Sequence, residues 1–196
     1  MTRRTCLVTL AILALAAGSA STLIAQGRRG QPGRRGGPSG QFATEVPAHP
    51  IDVVLARPTG TSMTFSLRSA SAMTATVAVA PGGMARTVTL AAGAPAEVTL
   101  DGLRPDQEYR YTISAATPLA AGAFHTARPA GAPFVFDVQA DSHLDENTDV
   151  RVYANTLANM RADRADFLVD LGDTFMTDKR PSYQDAAPQY LAQRYY

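Results

Sequence analysis

The sequence predicts two folds in succession: an antiparallel β-sandwich over residues 45–128, then the first βαβ unit of an α/β domain within residues 132–196. Three observations predict this. Short alternating apolar runs separated by turn residues fill 45–128, the pattern of strands with one buried face. Two later runs, 134–140 and 167–171, are short, apolar and rich in Val and Phe, and read as buried strands. Between them Val150, Tyr153, Leu157 and Met160 recur at helical spacing, with Thr148 as the expected N-cap. Strand, helix, strand implies parallel strands joined by a right-handed crossover.

Taken in order, residues 1–26 read as a secretory signal peptide. Arg3 and Arg4 form a charged start, residues 6–17 an apolar stretch, and small residues follow at 18–21. Cleavage after Ala20 and after Ala25 both fit. The apolar run is shorter than the roughly 20 residues a membrane span needs, so no anchor is expected once the leader is removed, and the protein is expected to be secreted or periplasmic. The Arg pair is a loose match to a twin-arginine export signal. Residues 27–44 are low-complexity Gly, Arg and Pro, too poor in apolar surface to offset the entropy of ordering, and read as a disordered linker.

Charge divides the same way. The chain carries a net charge of +1, but residues 1–41 hold six of the 18 basic residues and no acid; the remaining 12 face all 17 acidic residues, a net of −5. That balance is not the basic face nucleic acid requires, and no nucleic-acid partner is expected. The single cysteine, Cys6, lies in the leader, so the mature chain forms no internal disulfide.

In the sandwich region seven strands are expected, at 51–55, 62–67, 74–79, 86–90, 96–100, 108–113 and 121–126. Turns at Pro58-Thr59-Gly60, Pro81-Gly82-Gly83, Gly93 and Asp101-Gly102 separate most of them. Leu103-Arg104-Pro105-Asp106-Gln107-Glu108-Tyr109-Arg110-Tyr111 resembles the L-x-P-x-x-x-Y-x-Y segment of fibronectin type III-like modules. That resemblance implies an immunoglobulin/fibronectin-like sandwich in which the Tyr109 hydroxyl bonds back to the preceding loop, while Tyr111 packs on the same face.

The expected parallel strands end on one sheet edge, the edge where ligands sit in open α/β sheets. Asp141-Ser142-His143 follows the first strand and Gly172-Asp173 the second, so two carboxylates and an imidazole converge, a donor set suited to a metal ion. These two motifs resemble the first two of the calcineurin-like metallophosphoesterases. A sandwich in front of them resembles the arrangement of purple acid phosphatases. The resemblance implies that Asp141 and His143 bind one metal, that Asp173 bridges to a second, and that two divalent ions (Mn, Zn or Fe) act on a phosphate ester substrate. The family's later G-N-H-[DE] motif and histidines are not found after Thr174. The expectation is therefore a fragment of a secreted phosphoric ester hydrolase, inactive by itself. The sequence departs from the purple acid phosphatases at Met176, where those enzymes carry an iron-binding tyrosine.

Other readings of the same residues are blander. Asp145, Glu146 and Asp149 resemble the start of a calcium loop, but Val150 replaces the turn glycine, so they read as a solvated helix start. Asp170 falls inside a strand and is expected to bond a neighbouring loop, with no catalytic role. A last helix is expected from 185, with Pro188 in its first turn and Tyr190, Leu191, Arg194 and Tyr195 along its covered side. An alternative function is an exported sandwich that binds a partner, the βαβ part being vestigial.

Overall fold

All seven sandwich strands form. They are β1 (Asp52–Ala56), β2 (Ser62–Arg68), β3 (Met73–Ala80), β4 (Met84–Leu90), β5 (Ala96–Asp101), β6 (Glu108–Ser114) and β7 (Pro118–His125). The computed structural model describes residues 46–144, 148–174, 180 and 182–196, all within one compact unit, Gly40–Tyr196. The leader (1–26) and the whole linker (27–44), with Cys6, therefore lie outside the described residues, as do Asp145, Glu146 and Met176.

The strands pair antiparallel into two sheets, β1-β2-β5 and β4-β3-β6-β7. Alternation decides which side chains meet: Ala75, Val77 and Val79 of β3 point inward with Phe65 and Leu67 of β2, Leu100 of β5 and Ile113 of β6. Phe65 is fully buried and takes the Tyr111 ring edge-on at 5.2 Å and Phe124 at 5.9 Å. Each large side chain buried this way contributes about 1.5–3 kcal/mol. Gly122 is the cross-strand partner of Tyr111, and a Cβ there would stand 2.6 Å from the phenol oxygen; only a residue without a side chain admits the ring. The corner forms as the motif implies. The Arg104 N–H donates to the Tyr109 hydroxyl at 2.8 Å, and the buried Thr126 hydroxyl donates to Arg104 O while accepting from the Gln107 N–H. This is a fibronectin type III-like sandwich, followed by a partial α/β unit.

In that unit β8 (Phe136–Gln139) and β9 (Phe167–Asp170) pair in parallel, Phe136 beside Phe167 and Gln139 beside Asp170. Between them runs α1 (Val150–Asp163). Its expected stripe of Val150, Tyr153, Leu157 and Met160 is half-buried among exposed neighbours. Two expectations are corrected. The strands were expected to be buried, yet Phe134, Phe136 and Phe167, with ring centroids 5.5–5.9 Å apart, remain 57%, 48% and 42% exposed. A parallel sheet buries its apolar run only when both faces are covered, and α1, which itself buries no residue, does not supply that cover. The N-cap of α1 is Asp149, not Thr148: the Asp149 carboxylate accepts the Arg151 N–H at 2.9 Å, while the Thr148 hydroxyl donates to the His143 carbonyl.

The last helix, α2 (Tyr183–Tyr195), starts two residues earlier than expected because Ser182 caps it, accepting the Asp185 N–H. Pro188 therefore sits in the second turn. The buried positions are Ala186, Gln189 and Ala192, while Tyr190, Leu191, Arg194 and Tyr195 are half-buried. Small residues on the inner face let the helix lie close to the sandwich. There the Arg194 guanidinium donates to Ser66 O at 3.1 Å and the Tyr195 ring lies 4.7 Å from His49. At the other junction Arg128, just past β7, holds both oxygens of Asp166 at 3.0 Å, and Asp166 in turn accepts the Val135 N–H ahead of β8. Among the described residues no helix is long and apolar enough to cross a membrane.

Candidate metal centre

The parallel register sets the site. Pairing continues past the strand ends: the Leu171 N–H donates to Gln139 O at 2.9 Å, Asp141 N–H to Gly172 O at 3.1 Å, His143 N–H to Asp173 O at 3.1 Å and Leu144 N–H to Thr174 O at 2.8 Å. Two loops separated by a whole helix in sequence are thereby zipped together at the carboxyl edge. Leu144 and Thr174 are buried and anchor the loops, leaving Asp141 and Asp173 exposed beside a half-buried His143.

One ligand atom each from Asp141, His143 and Asp173 lies within 4.8 Å of the others, the one such group found among the described residues. His143 Nε2 is 3.2 Å from Asp141 Oδ1. His49 and His125, the other two histidines of the sequence, lie in the sandwich region and pair with Asp52 and Asp106.

The backbone carries a further mark. Asp141, His143 and Asp173 adopt φ of +57°, +42° and +53°, three of the six non-glycine residues with positive φ among those described. Positive φ is uncommon outside glycine and costs on the order of 1–3 kcal/mol each, and such residues cluster at functional sites. Gly172, at φ +101°, takes a conformation that suits glycine and reverses the chain directly before Asp173.

The donor set fits a divalent cation: two hard carboxylate oxygens and one imidazole nitrogen. Neighbouring ligands on a four-coordinate ion stand about 3.4 Å apart at ordinary metal–ligand distances. To share one ion the three donor atoms, now within 4.8 Å of one another, draw closer together.

Asp170 and Gln139 complete the surroundings. Asp170 accepts the Gly172 N–H at 2.8 Å through one oxygen, and the Gln139 amide and Thr174 hydroxyl at 2.9 Å each through the other. Burial disfavours its charged form, but the Gly172, Gln139 and Thr174 donors outweigh that and hold the carboxyl below its usual range. The loop bond expected of Asp170 is present. Its second oxygen also reaches the end of β8, through Gln139, where the D-x-G spacing signals only the local turn.

No protein-family model matches the chain, and no curated protein is similar to it. Among solved structures the chain is similar to a structure of PhoD, at 19% identity over 63% of this chain and 27% of that one, with a TM-score of 0.47. It thus spans about a quarter of the length of that chain. It is also similar to the FN3 domain of human collagen XX (21% identity, 42% of this chain and 99% of that one, TM-score 0.32). A further likeness is to the FN5 domain of Drosophila Lar (20% identity, 43% and 100%, TM-score 0.32). All three TM-scores lie below 0.5, and the functional reading stands on the site itself.

Proposed function

We propose that Asp141, His143 and Asp173 hold a divalent metal ion (Mn, Zn or Fe), and that the chain carries the first ligand set of a secreted, metal-dependent phosphoric ester hydrolase. The observation that supports this most is the convergence of the three side chains at the carboxyl edge of a parallel strand pair, each in a strained backbone conformation. The D-x-H and G-D resemblance supplies the reaction class. Bound there, a divalent ion would supply Lewis-acid polarisation of a phosphoryl oxygen.

The chain's own residues do the rest. Asp141 and Asp173 place two negative charges where a phosphate ester, itself anionic, would approach, so ester binding requires their neutralisation. His143 adds an imidazole nitrogen as the third donor. The inter-loop hydrogen bonds hold all three together before any ligand arrives, which lowers the cost of organising them. The three side-chain ligands found among the described residues complete at most one ion's coordination, so weak metal binding and no appreciable turnover are expected.

Calorimetric titration with Mn²⁺ and Zn²⁺ tests the reading. The wild-type chain is expected to bind, and Asp141→Asn and Asp173→Asn to lose at least about tenfold in affinity. Equal binding by wild type and both variants sinks the assignment. Robust hydrolysis of p-nitrophenyl phosphate by the wild-type chain would instead overturn the expectation of inactivity. The second reading, an exported sandwich serving as an interaction module, is favoured by the contrast between its closed core and the exposed βαβ sheet. It predicts a chain indifferent to metal.

A further inference from the structure

Resting on the metal centre proposed above, we infer that Asp170 is its positioning residue: one carboxylate ties the ligand-bearing loop after β9 to the end of β8, two residues before Asp141, and holds Asp141, His143 and Asp173 in their left-handed backbone conformations. The geometry is specific. Gln139 stands two residues before Asp141, and Gly172 and Thr174 flank Asp173 on either side. Asp170 bonds all three. A residue that merely shaped its own turn would need only the bond from Oδ1 to the Gly172 N–H. The second oxygen, Oδ2, is occupied by donors from the opposite strand and from beyond the ligand, which turn formation does not require.

The need for such a tie follows from the backbone. L-residues hold positive φ only where surrounding contacts over-determine it. Here the contacts are the three inter-loop bonds from Asp141, His143 and Leu144 N–H groups to Gly172, Asp173 and Thr174 carbonyls. Two of those acceptors, Gly172 and Thr174, also belong to residues that Asp170 grips. Releasing Asp170 frees Gly172 and Thr174 together, and the inter-loop ladder then loses the side that keeps it in register. Asp170 does not touch the cation position itself; it acts through the loops.

The test uses the full chain with Asp170→Ala and Asp170→Asn, read two ways. Without metal, amide exchange at Asp141, His143 and Leu144 is followed by NMR, with Leu100 and Ile113 in the sandwich core as folding controls. Asp170→Ala is expected to speed exchange at the three loop amides about tenfold or more and to leave the core amides unchanged. With Co²⁺, whose visible bands report coordination geometry, Asp170→Ala is expected to weaken binding about 10- to 100-fold and shift the bands. Asp170→Asn should rescue much of both effects. Its carbonyl can still accept the Gly172 N–H, while the Gln139 amide can flip and the Thr174 hydroxyl rotate to accept from its NH₂. Unchanged loop exchange in Asp170→Ala overturns the inference, as do equal losses in the two variants with unshifted bands, which would assign a charge effect instead. A wild-type chain that ignores Co²⁺ while Asp170→Ala loosens the loops would remove the metal reading and leave the loop tie standing.

Discussion

His49 shows how a single side chain ties distant parts of the chain together. Its Nδ1 lies 2.9 Å from Pro47 O and its Nε2 2.6 Å from Asp52 Oδ1, so both nitrogens face acceptors, an arrangement that suits the doubly protonated ring. Partial burial disfavours the charge, but the Pro47 carbonyl and the Asp52 carboxylate outweigh it and raise the pKa above 6.5. The charged and titratable neighbours are Asp52 on β1, Arg68 on β2, which also bonds Asp52, and Tyr195 on α2. A raised folded-state pKa means the contribution to stability is complete below about pH 6.5 and is lost as pH rises through the folded value. Thermal melts are therefore expected to show a decline in stability over that window, and His49→Gln to flatten it. A wild-type profile as flat as the variant's would refute the protonated arrangement.

At the scale of elements, β6 owes its position to the corner before it. The Tyr109 hydroxyl reaches back over Arg104, and Thr126 bonds the same loop from beyond β7, so β6 and β7 are both pinned to it. Tyr109→Phe keeps the ring stacked on Phe124 at 5.7 Å and removes only the acceptor for the Arg104 N–H. The expected cost is about 1–2 kcal/mol, read from denaturant unfolding with an unchanged slope. This corner was legible in the sequence because its chemistry is local: L-x-P and Y-x-Y lie within nine residues. The caps of α1 and α2 were not, since Thr148 and Asp149 are both acceptable caps by type. Only the loop path, which turns the Thr148 hydroxyl toward the His143 carbonyl, chooses between them.

For the molecule as a whole, the question is what fastens the βαβ unit to the sandwich. Asp166 receives the Arg128 guanidinium and the Val135 N–H, and Arg128 also reaches Asp106 at 3.3 Å on the sandwich side. The Arg128 guanidinium, with the Val135 N–H, holds the Asp166 carboxyl below its usual range. Its contribution is thus present above the ordinary carboxyl pKa of 3.8 and lost as pH falls through the lower folded value. Asp166→Ala is expected to leave the main unfolding transition of the sandwich in place while making the segment before β8 more sensitive to limited proteolysis at neutral pH. Cleavage at wild-type rate would show that α2, through Arg194 and Tyr195, suffices as the fastening.

The sequence by itself determined the order of elements, the seven strands, the tyrosine corner and the identity of the three converging residues. Each of these depends on period, spacing and local chemistry, which a linear string contains. Tertiary structure alone decided that the Phe-rich strands stay exposed, that α2 turns Ala186, Gln189 and Ala192 inward, and that Asp170 ties its own loop to the end of β8. Those outcomes depend on which surfaces meet, and meeting is a property of three-dimensional packing: an apolar run records that a side chain gains by burial, but not whether anything lies against it.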